Sequence, residues 1–150
     1  MLNLLLICHA NVCRSPMAES IFRDRLSDHK QIVIQSAGIA AMSGSPVHPI
    51  ARKMLARRAY TIRADASAVR LTAPMLNWAD LALVMDGSQR SELVRRHPFA
   101  AGKVWLIGHW LARDVPDPVD GDDSVFNATL ELIEASATTW QPALTTQLAV

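Results

Sequence analysis

Leu2-Asn3-Leu4-Leu5-Leu6-Ile7-Cys8-His9-Ala10-Asn11-Val12-Cys13-Arg14-Ser15-Pro16 is the stretch whose reading decides the fold. Leu2 to Ile7 is a continuous apolar run, as expected of a central strand buried on both faces. His9 to Arg14 is a short polar loop. Ser15-Pro16 reads as the N-cap and first position of a helix. That helix is expected to reach about Asp28, with Ala18, Phe22 and Leu26 along its inner stripe.

Outward from this unit, apolar runs and helical patterns alternate. Ile32 to Ser36 is a β-branched strand closed by Ala37-Gly38. Pro49 to Ala59 reads as a helix with Ile50, Met54 and Leu55 facing in. Leu81 to Met85 and Val104 to Ile107 are further strands, separated by a basic helix over Ser88 to Arg96. Asp114 to Asp122 holds acids, prolines and a glycine, and reads as a loop. A last helix starts near Ser124 and places Phe126, Leu130, Ile133, Ala137, Trp140 and Leu144 at helical spacing. Strands that alternate with helices imply a parallel sheet with helices on both faces. Ligands of such folds bind beyond the carboxyl ends of the strands, where the Cys8 loop lies.

Bulk properties narrow the function. A chain of 150 residues, half of them apolar, points to one domain over 1–150 with one core. Fifteen Lys and Arg against 14 Asp and Glu give no broad basic field, so neither nucleic acid nor an anionic membrane is the expected partner. The two cysteines, Cys8 and Cys13, lack zinc-site spacing and read as reduced thiols. No metal and no cofactor is called for. Met1 to Ile7 lacks the charged flank and length of a targeting signal. No apolar run is long enough to span a bilayer, and a cytoplasmic location is expected. The Trp residues 78, 105, 110 and 140 are assigned to the core.

The loop carries the chemistry. A thiol ends a strand, and an arginine follows six residues later, where a helix begins. Backbone N–H groups of His9 to Ser15 can converge there on one anion, helped by the helix dipole. Arg14 adds a planar fork that matches two phosphate oxygens. Those donors favour a thiolate on Cys8, a nucleophile placed for in-line attack on phosphorus. Ser15 is positioned to hydrogen-bond the sulfur and Asn11 to brace the loop. An isolated cysteine at a strand end is ordinarily an inert buried thiol; the strand–loop–helix setting and a second motif outweigh that reading here. The second motif is Asp114-Val115-Pro116-Asp117-Pro118. Prolines on both sides of Asp117 restrict its backbone and can hold a carboxyl group over the site as a proton donor.

With these two motifs quoted, the chain resembles the low-molecular-weight protein tyrosine phosphatases, whose loop reads Cys-x-Gly-Asn-x-Cys-Arg-Ser-Pro. Ser36-Ala37-Gly38, Met85-Asp86 and Gly108-His109-Trp110 also fit its bacterial members. The resemblance covers essentially the whole chain. It implies a four-stranded parallel sheet, with Cys8 as nucleophile, Arg14 as phosphate clamp and Asp117 as general acid and then base. It further implies phosphotyrosine proteins as substrates, among them autophosphorylating tyrosine kinases of polysaccharide export.

Several positions depart from the pattern or bear on the choice of substrate. Ala10 replaces a glycine; a left-handed backbone there would cost roughly 1–2 kcal/mol. Val119-Asp120 stands where many members carry tyrosines, so with Met42 it would form a softer substrate wall. His48 replaces an acidic residue. Val12 stands where protein-arginine phosphatases carry a small hydroxyl residue, which places that activity second. A phosphate-binding module with little turnover is the reading from another class. A thiol-dependent arsenate reductase would need cysteines after Cys13, and a nucleotide P-loop would need a Gly-x-x-x-x-Gly-Lys run; the chain has neither.

Overall fold

A computed structural model describes residues 1–146. Four strands, β1 (Leu2–Cys8), β2 (Ile32–Gly38), β3 (Leu81–Val84) and β4 (Val104–Leu106), form one all-parallel sheet in the order β2-β1-β3-β4. Five α-helices accompany them: α1 (Arg14–Arg25), α2 (Pro49–Arg57), α3 (Ala73–Trp78), α4 (Gly87–Arg96) and α5 (Asp123–Thr146). The expected α/β architecture is what the structure has. Strands run one or two residues longer or shorter than the apolar runs suggest, since pairing rather than hydropathy sets their ends.

The alternation of side chains along β1 builds a core on each face of the sheet. Leu4, Leu6 and Cys8 pack with Met17, Ile21 and Phe22 of α1 and with Phe126, Leu130 and Ile133 of α5. Leu5 and Ile7 pack on the other face with Leu76, Leu93 and Val104. Every one of these side chains is almost wholly buried, which is why the run that makes β1 is apolar on both faces.

The chain passes from β1 to β2 on one side and reaches β3 on the other. The carboxyl end of β1 is therefore the topological switch point, where such sheets open a crevice. Gly38 closes one wall of it. A Cβ there would lie 2.8 Å from backbone atoms of His9, Ala10 and Asn11, so only glycine lets β2 approach the loop so closely.

Several local expectations are corrected. Helix α1 starts at Arg14 and not at Pro16, with Cys13 and not Ser15 as its N-cap, and no side chain caps it. The short helix α3 was not foreseen, although Thr72 caps it by accepting from the Met75 N–H at 3.3 Å. Of the four tryptophans, only Trp140 is buried; Trp105 and Trp110 are 40% and 57% exposed. Their rings make edge contacts with His109 and with the buried Trp140. Among the described residues no helix is long and apolar enough to cross a membrane.

Candidate active site

The loop between β1 and α1 is folded around the sulfur of Cys8. The Asn11 N–H donates to Cys8 Sγ at 3.2 Å, and Ser15 Oγ lies 3.0 Å from the same atom. Asn11 makes this turn possible by taking a left-handed backbone, φ 57°. Asn tolerates that region better than most residues. Ala10 is not among the positive-φ residues, so the strain that would follow from a left-handed Ala10 does not arise.

The Asn11 side chain is fully engaged. Its Nδ2 donates to Ser15 Oγ at 2.7 Å and to Ser36 Oγ at 3.1 Å, while Oδ1 accepts from the Val69 N–H at 2.9 Å. Ser15 Oγ accepts from Asn11, so its own proton is available to Cys8 Sγ, at 3.0 Å, or to the Ala37 carbonyl, at 3.5 Å. Ser36 in turn donates to Glu19 at 2.6 Å. Glu19 is 6% exposed and also accepts from Arg23 at 2.9 Å and from Arg63. Burial opposes its ionisation, but hydrogen bonds from Arg63 and Ser36 and the charges of Arg63 and Arg23 hold its carboxyl below the usual range. A buried polar chain thus runs from Glu19 to the sulfur.

Arg14 is 4% exposed. Its Nη1 donates to the Val115 carbonyl at 2.9 Å and to Asp86 at 3.2 Å, and its Nη2 lies 3.7 Å from Asp117 Oδ2. Asp86 meanwhile caps α4, accepting from the Gln89 N–H at 2.9 Å. Burial disfavours its charge, yet Ser88, Gln89 and Arg14 together keep it below the ordinary carboxylate range. The guanidinium is held from behind, with its other face toward the cavity.

Cys8, Ala10, Val12, Cys13, Arg14, Asp117 and Val119 line a cavity of about 40 Å³. That is room for about three water-sized groups, the scale of one phosphoryl group. It sits at the uncapped N-terminus of α1, where unused backbone N–H groups favour an anion. Asp117 is 45% exposed by its side chain and accepts from the Val119 N–H at 3.1 Å. Cys13 lies in the same wall. Burial, with Asp117 and Cys8 adding and Arg14 opposing, pushes its thiol up to about 12. The arrangement offers a sulfur nucleophile, a bidentate clamp and a carboxyl group around one small anion site.

The structure thus brings Cys8, Arg14 and Asp117 together, with Ala10, Val12 and Cys13 in the wall and Asn11 and Ser15 behind the sulfur. Of the residues expected to wall a substrate, Val119 lines the cavity, while Met42, 79% exposed, and Asp120 do not. His9 is exposed and also lies outside it. His48 caps α2, its Nδ1 accepting from the Ile50 N–H at 3.1 Å. Asp86, Glu19, Ser36 and the Val115 carbonyl were not singled out as site residues. The Asp86-Gly87-Ser88-Gln89 start of α4 signals a helix cap, but nothing in it reveals the contact with Arg14.

The sequence profile of the family described as low molecular weight phosphotyrosine protein phosphatase matches residues 3–150. The chain belongs to this family. It is 36% identical to a probable low molecular weight protein-tyrosine-phosphatase, EpsP, of Ralstonia nicotianae, over 94% of each chain. Two solved members share its fold. The tyrosine phosphatase Wzb from Escherichia coli K30, in complex with sulphate, aligns with a TM-score of 0.87 and 29% identity. The alignment covers 95% of this chain and 97% of Wzb. The YwlE arginine phosphatase from Geobacillus stearothermophilus gives 0.89 and 25%, covering 98% and 95%. The two solved structures are thus a tyrosine phosphatase and an arginine phosphatase.

Proposed function

We propose that this chain is a protein-tyrosine phosphatase that works through a phosphocysteine on Cys8. The observation that carries the reading is that Cys8, Arg14 and Asp117 line one cavity at the uncapped start of α1. The Cys8 thiolate attacks phosphorus while the loop N–H groups and Arg14 hold the equatorial oxygens. The bond from phosphorus to the tyrosine oxygen breaks, and Asp117 delivers the proton that the leaving phenolate needs. Asp117, now a carboxylate, takes a proton from water as that water attacks the phosphocysteine. The S–P bond breaks, and inorganic phosphate and the thiolate are restored. Ser15 donates to the sulfur throughout, which stabilises its charge as the leaving group of the second step.

Val12 favours phosphotyrosine over phosphoarginine. It lines the cavity, and its branched apolar side chain offers a flat aryl ring a surface but a guanidinium no acceptor. The likeness to an arginine phosphatase keeps that activity as the second reading. A binding module without turnover is less well supported, since the backbone at Ala10 lies outside the left-handed region. We assign the protein substrate to the class of autophosphorylating tyrosine kinases of polysaccharide export, on the family resemblance.

The test is kcat/KM, without added metal, on matched peptides carrying phosphotyrosine, phosphoarginine or phosphoserine. Phosphotyrosine should lead, Cys8→Ser should abolish turnover, and Val12→Thr should shift the ratio toward phosphoarginine. A wild-type preference for phosphoarginine, or turnover that survives Cys8→Ser, would overturn the assignment.

A further inference from the structure

Asp117 stands on a ridge between two cavities. One is the small anion site. The other is a groove of about 670 Å³ between α5 and the Leu111–Asp117 segment, lined on one wall by Leu111, Arg113 and Pro116. Its floor is the outer face of α5, where Val125, Ala128, Leu132 and Ala135 recur at spacings of three and four. Val125, Ala128 and Ala135 of this stripe are exposed, Leu132 is half-buried against the core, and Glu131 also lines the groove. At about 1.5 Å per residue the stripe runs for roughly 15 Å. An exposed apolar stripe beside an active site is costly unless something covers it.

Two features say what fits. Leu111, Val119 and Val125 are large apolar side chains left exposed. Val119 lines the anion site, Leu111 and Val125 line the groove, and Asp117 lines both. The groove therefore adjoins the anion site at Asp117. Arg113, on the groove wall, forms no ion pair among the described residues, unlike Arg58 at the end of α2, which pairs with Glu131 and Glu134 of α5. An extended chain advances about 3.3 Å per residue, so about five residues beyond a phosphotyrosine reach along the whole stripe.

We propose that this groove binds the segment of the substrate chain next to its phosphotyrosine, taking an apolar side chain against Ala128 and Leu132 and a carboxylate at Arg113. The proposal rests on the phosphotyrosine reading above and adds a second point of recognition to it. Selection between protein substrates then lies outside the anion site, which sees only the phosphoryl group and the aryl ring.

Phosphotyrosine peptides test this. One set carries Leu and Glu within five residues of the phosphotyrosine, on either side in separate peptides; the control set carries Ser at those positions. The wild type should show kcat/KM about tenfold higher for one Leu/Glu peptide than for its control. Ala128→Glu, on an exposed position, should remove that preference and leave kcat/KM for para-nitrophenyl phosphate unchanged. Arg113→Glu should lose the contribution of Glu and recover it with a Leu/Lys peptide. Equal kcat/KM for all peptides, or a preference that survives both variants, would overturn the proposal. So would a dimer in sedimentation velocity that Ala128→Glu dissociates while peptide kinetics stay the same, since the groove would then hold a second copy of the chain. Turnover of para-nitrophenyl phosphate with no turnover of any phosphotyrosine peptide would instead remove the phosphotyrosine reading, and this proposal with it.

Discussion

Arg14 donates to the carbonyl of Val115 at 2.9 Å, and this bond joins the phosphate loop to the acid loop. Val115 is fully buried and its N–H in turn donates to the Met85 carbonyl at 2.8 Å. The guanidinium therefore orients the carboxyl group two residues further on as well as any bound anion. One side chain thus ties together the two residues to which the proposed reading gives the roles of clamp and proton donor.

Replacing Arg14 should damage both roles. Lysine supplies a point charge in place of a planar fork and cannot hold Val115, Asp86 and two phosphate oxygens together. Arg14→Lys should lose at least about 10²-fold in kcat on para-nitrophenyl phosphate. Steady-state kinetics near those of the wild type would show that Arg14 has no part in the clamp.

Asp117→Asn separates protonation from positioning. With phenyl phosphate, whose leaving group is poor, the rate should fall by about 10²–10⁴. With para-nitrophenyl phosphate, whose leaving group departs without a proton, the loss should be much smaller. Equal losses on the two substrates would make Asp117 a structural residue of the loop.

Cys13 should govern recovery from oxidation, with a pH dependence of its own. Peroxide would convert the Cys8 thiolate to a sulfenic acid, and Cys13 would displace water from it to form a disulfide. The attacking species is the Cys13 thiolate, which a pKa of about 12 makes scarce near neutrality. The fraction of activity recovered with dithiothreitol should therefore rise between about pH 7 and pH 9 in the wild type. It should stay low at both pH values in Cys13→Ser. Equal recovery by the two proteins at the higher pH would remove this role.

Glu19 links the fold to acid stability. Its folded pKa lies below the ordinary glutamate value of 4.5, so its contribution is present above that value and is lost as pH falls through the folded one. Glu19→Gln should cost about 1–3 kcal/mol at pH 7, where it leaves Arg63 and Arg23 without their carboxylate. Thermal melts should then show a smaller loss from about pH 5 to pH 3 in the variant than in the wild type. Parallel pH profiles for the two would mean that Glu19 titrates alike in the folded and unfolded chains.

By itself the sequence determined the β1–loop–α1 unit, because its signals are local. A strand buried on both faces must be apolar throughout, and a thiol and an arginine six residues apart bracket a loop too short to place them elsewhere. The Asp117 turn was legible in the same way, through its two flanking prolines. What only the tertiary structure decided are contacts across long sequence distance. Arg14 meets Asp86 72 residues away and Val115 101 residues away, and no local pattern encodes a partner at that range. Ser15 reads as a helix cap, since that is the usual use of serine before proline. Its hydroxyl instead faces Cys8, because Asn11 turns the loop inward and leaves the cap position to Cys13. The exposure of Trp105 and Trp110 was hidden for a related reason: hydropathy states that an aromatic ring prefers burial, and only the packing of the whole chain determines whether there is core left to bury it in.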